Sequence, residues 1–298
     1  MRDRNSRYLK FGAAAIVAYA GVTWGAGKLD WQHIGLPVLA WACVAPQRGP
    51  RRFMLEWWPM VLFWLGYDSM RLFSESLLIR AAVEAPYRWE RTLLPGPGGE
   101  IWPFFFTRWR EANAGGFGAT VASAVCNLAY FSHICAVPFL LMALWLWRRK
   151  LLFRRLVWSF SVLHIAGLLI YFAYPAAPPW WVYENGMARP TAEHHLPAGS
   201  SSGSVPTRLF RFSANKFAAI PSLHGAYPLL LTIVLAAHGS RRRWVALSAG
   251  YAAVMWFACV FLNQHYIIDL LIGAVLTVPA IPAARRPLNH LVDGTDGK

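Results

Sequence analysis

Acidic residues are scarce in this chain. Fourteen Asp and Glu stand against 29 Lys and Arg in 298 residues, and charged residues make up only 14%. Soluble domains carry about 25%, so an ordinary water-facing surface is excluded. Cysteine is also sparse. Cys43, Cys126, Cys135 and Cys259 all fall inside hydrophobic stretches and none lies in the long polar loop, which excludes a disulfide framework and a metal-type spacing. They read as ordinary buried thiols. There is no internal repeat, and no polar segment is long enough to fold as a separate soluble domain.

What is present is apolar: 56% hydrophobic and 15% aromatic residues, a membrane-protein composition. The net charge of +15 does not point to nucleic acid. The basic residues sit in short runs between hydrophobic segments, the pattern of cytoplasmic loops. Spans need about 20 apolar residues. The hydrophobic segments at Lys10–Gly27, His33–Ala45, Phe53–Leu77, Phe117–Trp147, Phe153–Tyr174, Ser222–His238, Trp244–Leu262 and His265–Ala284 predict an all-α polytopic bundle of about eight spans. The first resembles a signal peptide but is read as a retained helix, because further spans follow directly. The basic clusters at the amino terminus, Arg48–Arg52, Arg148–Arg155, Arg241–Arg243 and Arg285–Arg286 then share the cytoplasmic side, as do both termini. The expected organisation is a two-helix segment (1–52), a main membrane domain (53–286) and a cytoplasmic tail (287–298).

Two long connections fall on the opposite side. Residues 78–116 contain PGPGG at Pro95–Gly99 and the aromatic run Trp102–Phe106, expected at headgroup level. Residues 175–220 open with PAAPPWW at Pro175–Trp181 and run through the flexible AGSSSGS at Ala198–Ser204.

Two short islands carry the chemistry. PSLHGAYP spans Pro221–Pro228 and NQHYIIDL spans Asn263–Leu270. Between them lies room for one pass out and one pass back, so His224 and His265 return to one membrane face. Ser222 is an expected helix cap, which places His224 in the first turn, beside free backbone N–H groups suited to phosphate. Asp269 lies four residues after His265, one helical turn on. It can accept a hydrogen bond from one ring nitrogen of His265 and leave the other to attack. A second histidine can serve the leaving oxygen as general acid. Singly, each residue also fits a structural role. His133 and His164 fall mid-span, and Asp68 can pair with Arg71 at helical spacing.

PSLH followed by HYxxD resembles the second and third signature motifs of the type 2 phosphatidic acid phosphatase superfamily. It is most similar to the branch containing fungal inositol phosphorylceramide synthase and its bacterial homologues. Pro178–Trp180 matches that branch's PPW motif. Tyr67–Arg71 and Tyr130–His133 match two further patterns, so the resemblance covers about residues 55–285. It implies that His265 is the nucleophile, that Asp269 orients it, and that His224 protonates the leaving group. The motif KxxxxxxRP is missing, and Cys259 stands where an arginine is expected. Phosphate must then be bound by other groups. Arg71, Ser222, Lys216 and Asn263 are the candidates, with Arg208 and Arg211 in the outer loop.

The expectation is a membrane phosphotransferase acting on a lipid phosphate. It needs no cofactor and no metal, and its active site faces the extracytoplasmic side of a bacterial plasma membrane. Hydrolysis, as by a lipid phosphate phosphatase, is the alternative chemistry. A lipid-binding or transport protein is the alternative class.

Overall fold

A computed structural model describes residues 2–25, 50–191 and 215–282. The predicted span His33–Ala45, the loop segment bearing Arg208 and Arg211, and the tail 287–298 lie outside the described residues. Among the described residues the chain is helical, and its extended segments meet only as isolated bridges. They fall into two compact units, one through Leu72 and one from Phe73.

The first unit contains α1 (Arg2–Gly25) and α2 (Pro50–Ser69). The Tyr19 and Trp64 rings pack 5.3 Å apart. Asp68, near the end of α2, accepts a hydrogen bond from the Tyr19 hydroxyl and pairs with Arg71 Nε at 2.8 Å. A carboxylate in so apolar a segment is costly unless paired. The predicted Asp68–Arg71 pair therefore forms.

The second unit runs α3 (Ser74–Ile79), α4 (Glu84–Leu93), α5 (Trp102–Ala112), α6 (Phe117–Leu146), α7 (Lys150–Ala173), α8 (Pro179–Asn185), α9 (Leu223–Ala237), α10 (Arg242–Phe261) and α11 (Ile267–Leu276). By length and composition, α7 and α10 can each cross a membrane. Helix α6 adds a third if its two halves, bent by 53°, form one span. Pro138 lies within α6. It removes one rung of the helical ladder and crowds the carbonyl four residues back, where the bend falls. Helices α9 and α11 are apolar but shorter. Among the described residues two or three helices are thus long and apolar enough to cross a membrane, where the hydrophobic pattern of the whole chain predicts about eight.

Helices α9, α10 and α11 form the tightest packing. A Cβ on Gly273 would meet the backbone oxygen of Ser222 at 2.4 Å. One on Gly225 would meet a Leu270 methyl at 2.6 Å and Trp256 Nε1 at 3.0 Å. Only glycine allows the start of α9 to lie this close to α11. Trp256 Nε1 donates to the Gly225 carbonyl at 3.0 Å, and Thr232 bonds Ser248 at 3.0 Å, tying α9 to α10. Ser132 and the Tyr251 hydroxyl, 2.8 Å apart, tie α6 to α10.

At one end of this unit Arg155 Nη1 lies 3.1 Å from His238 Nδ1, three residues before Arg241. The Arg148–Arg155 and Arg241–Arg243 clusters therefore share that end, as the charge pattern predicts. At the other end three connections are clasped by main-chain hydrogen bonds. Ala82 N–H donates to Pro175, Ala177 to Ala82, Ala176 to Phe217 and Ala219 to Ala176, at 2.8 to 3.3 Å. The aromatic run expected at headgroup level forms the first half of α5. Phe106 packs against Phe257 and Phe261 of α10, with centroids 5.4 and 5.6 Å away.

Candidate active site

His224 and His265 meet at the clasped end. His224 is the second residue of α9. The helix begins there because Ser222 caps it, its Oγ accepting from Gly225 N–H at 3.4 Å. That hydroxyl is fully buried, so Ser222 is held by its capping role as well as by its place in the motif. The Ser222 N–H donates to the Asp269 carbonyl at 3.0 Å, joining the two islands directly.

His265 is reached through a turn. Helix α10 ends in a Schellman arrangement, with Asn263 N–H on the Val260 carbonyl and Gln264 N–H on the Cys259 carbonyl, both at 3.0 Å. This requires a left-handed residue after the cap. Asn263 supplies it, with φ of 61°. Its carbonyl accepts from Trp180 N–H at 3.1 Å. The PPW stretch at the start of α8 thus braces the turn that delivers His265. Asn263, a candidate phosphate ligand by position, is a backbone hinge by geometry.

The closeness of Asp269 to His265 has a different origin from the expected helical turn. Helix α11 begins at Ile267, with Tyr266 as its cap, so His265 precedes the helix. Asp269 instead folds back as the third helical residue, and its Oδ2 accepts from Tyr266 N–H at 2.9 Å. The same oxygen lies 3.3 Å from His265 Nδ1. A second acceptor, the Ala219 carbonyl, lies 3.1 Å from that nitrogen. A carbonyl can only accept, so Nδ1 carries the proton and shares it between two oxygens. The lone pair is then on Nε2, which faces His224 Nδ1 at 3.1 Å. That nitrogen in turn must be the donor.

Around His224 the rings continue. Tyr130 stacks on it with centroids 4.3 Å apart, and His133 lies 3.9 Å away. His133 Nδ1 donates to the Tyr130 carbonyl at 3.2 Å. Tyr227 follows His133 at 6.0 Å and His164 lies 4.8 Å from Tyr227. His133 is therefore part of the site and not a stray mid-span residue. Its Tyr–x–x–His spacing is the signal that marks it in the sequence. Among the described residues no group of three or more His, Cys, Asp or Glu is arranged to hold a metal ion.

The cation candidates divide. Arg71 belongs to the first unit and pairs with Asp68. Lys216 sits half-buried three residues before Ala219. Arg110, not among the sequence candidates, lies over the Phe261 ring at 5.5 Å, and its Nη2 donates to Thr107 Oγ1 at 3.2 Å. Its Nε is buried without a hydrogen-bond partner. Glu90 is also absent from the sequence candidates. It is fully buried and accepts from Ile267 and Ile268 N–H, both at 3.0 Å. No local pattern marks it, because its partners are 177 and 178 residues away.

The sequence profile of the PAP2 superfamily matches residues 105–283, which contain both islands. The chain belongs to that superfamily. It is an enzyme and a membrane protein. A phosphoinositol dihydroceramide synthase of Bacteroides thetaiotaomicron is 26% identical over 236 residues, covering 75% of this chain and 73% of the relative. An inositol phosphorylceramide synthase of Candida albicans is 29% identical over 175 residues, covering 54% of this chain and 36% of the relative. The catalytic subunit of the Schizosaccharomyces pombe inositol phosphorylceramide synthase is 31% identical over 136 residues, covering 41% and 31%. No solved structure matches.

Proposed function

We propose that the protein is a phosphotransferase that moves an inositol-phosphate-type head group from a lipid donor to the hydroxyl of a ceramide-type acceptor, by way of a phosphohistidine. The observation that carries this is the direction of His265. Its Nδ1–H is held by the Ala219 carbonyl and Asp269, and its Nε2 lone pair points to where His224 stands.

In the first step Nε2 of His265 attacks phosphorus. A P–N bond forms and the P–O bond to the diacylglycerol-type leaving group breaks. The approaching phosphate favours a doubly protonated His224 by its negative charge, and that imidazolium gives its proton to the departing oxygen. Asp269 and the Ala219 carbonyl stabilise the positive charge that attack places on the His265 ring. In the second step neutral His224 takes the proton of the acceptor hydroxyl. The acceptor oxygen bonds to phosphorus and the P–N bond breaks. At 3.1 Å the two rings leave no room for a phosphorus atom, so substrate entry separates them. The names of the relatives support an inositol-bearing donor and a ceramide-type acceptor. The clustering of basic residues at the end opposite the histidines supports an extracytoplasmic site.

Purified protein given phosphatidylinositol labelled in its head group, with and without ceramide, tests the reading. Label appears in a ceramide phosphodiester only when ceramide is present. Release of labelled inositol phosphate to water at equal rates in both arms would replace transfer by hydrolysis.

A further inference from the structure

Glu90 stands out from its helix. The other charged residues of α4, Glu84, Arg88 and Arg91, are exposed, whereas Glu90 has 0% exposure. A buried carboxylate needs strong partners. Here they are the first two amides of α11, one on each oxygen. Helix-start amides have no partner within their own helix and sit at the positive end of the helix dipole. Two carboxylates divide them: Asp269 takes Tyr266 N–H, and Glu90 takes those of Ile267 and Ile268.

We propose that Glu90 is a positioning residue for phosphoryl transfer: its two-oxygen grip on Ile267 and Ile268 fixes the start of α11, and through Asp269 the ring of His265. The proposal rests on His265 as nucleophile. Helix α11 has 10 residues, and the group that orients the nucleophile lies in its first turn. A small slip of that turn moves Asp269 away from Nδ1. Glu90 has a second effect at the same place. Free amides at a helix start attract phosphate. With Glu90 seated there, that anion position is filled, and the substrate phosphate is left to the two histidines.

Ionisation of Glu90 gives the test its resolving power. Burial, opposed by the two amides and aided by Asp269, raises its carboxyl from 4.5 to about 7. The titratable groups facing it are Asp269 of α11 and Tyr266 at its start, and Tyr266 in turn faces Tyr87 of α4. Above that value both oxygens accept. Below it a proton occupies one of them and one amide loses its acceptor, so activity falls as pH falls through about 7. Stability runs the other way. The folded value lies above the ordinary one, so the folded protein binds the proton more tightly. Glu90's contribution is then most favourable at low pH and is lost as pH rises through about 7.

The experiment uses the full chain in detergent micelles, as wild type, Glu90→Gln, Glu90→Asp and His265→Ala. It reads kcat, KM, thermal midpoint and the ¹⁵N resonances of His265 across pH 5.5–8.5. In Glu90→Gln, kcat should fall about 10²-fold, the cost of a misplacement near 1 Å. KM should stay within about 3-fold, since substrate binding is little changed. The activity limb near pH 7 should flatten and the His265 resonances should shift. Glu90→Asp, with charge but shorter reach, should keep the limb and lose kcat. If Glu90→Gln lowers only the thermal midpoint, with kcat, limb and His265 resonances as in wild type, Glu90 is structural and the proposal fails. If Glu90→Gln does not fold, wild-type kcat in Glu90→Asp overturns it instead. Phosphoenzyme in His265→Ala would remove the nucleophile assignment, while the His265 resonances would still decide whether Glu90 positions that ring.

Discussion

At the scale of single residues, the proton on His265 Nδ1 is shared between a side chain and the main chain. Removing Asp269's charge therefore leaves the Ala219 carbonyl to hold the tautomer. Loss of the tautomer in a serine-protease triad costs about 10⁴ in rate. Asp269→Asn should cost less, about 10² to 10³, because orientation survives and charge stabilisation does not. Trapped phosphohistidine and steady-state rates measure this. His224→Ala should still form phosphohistidine from an ester with a good leaving group, which needs no proton, and should fail with the lipid. Equal loss with both substrates would remove His224 from the acid role. Asn263 gives a conformational test. Asn263→Gly should be tolerated and Asn263→Ala should cost about 1 kcal/mol, the penalty of a side chain in the left-handed region. A phosphate ligand at this position would lose activity in both variants, which assays of stability beside KM distinguish.

At the scale of elements, the crossing of α9, α10 and α11 holds the two islands against each other. Gly273→Ala forces a backbone shift at Ser222, and overpacking of this kind costs about 1–3 kcal/mol. Its thermal midpoint should drop and its kcat should drop with it, because Ser222 begins the helix that carries His224. Ser222→Ala removes a cap worth about 1 kcal/mol. It should lower stability with KM unchanged if capping is its whole role. Much of this was legible in the sequence. Pro221 and Ser222 announce the start of α9, and the spacing of the two islands requires a hairpin. The PPW stretch is visible too, though its docking on the Asn263 carbonyl is not. What stayed hidden is what carries no local pattern. Main-chain acceptors such as Ala219 have no side-chain signature. Glu90 looks like any surface glutamate on a short polar helix until α11 is laid over it. The i,i+4 spacing of His265 and Asp269 gave the right neighbours through the wrong geometry, since a helix cap brings together residues that a continuous helix would also align.

At the scale of the whole molecule, the placement of charge divides the second unit into a basic end and a histidine end. In a cysteine-free variant, single cysteines at Ser201 and Ser240 should label from opposite sides with an impermeant reagent. Labelling of the Ser240 position alone from outside would invert the topology. The chemistry should also withstand chelation, since each step is assigned to side chains. Activity abolished by EDTA and restored by a divalent cation would require a metal-assisted scheme.

The main-chain clasp sets an order of events during synthesis. Ala82, Ala176 and Ala219 are far apart in the chain, yet the carbonyl that holds His265 belongs to the last of them, and His265 itself comes later still. Contacts between such distant segments form slowly, because each needs a large loop to close first. Individual helices can form and insert long before any of them has an active centre. Under the proposed mechanism, a chain still emerging from the ribosome has no oriented His265 until α11 brings Asp269 to it. In refolding, helix content should recover well ahead of phosphohistidine formation, and the interval between them measures how long the three connections take to find one another.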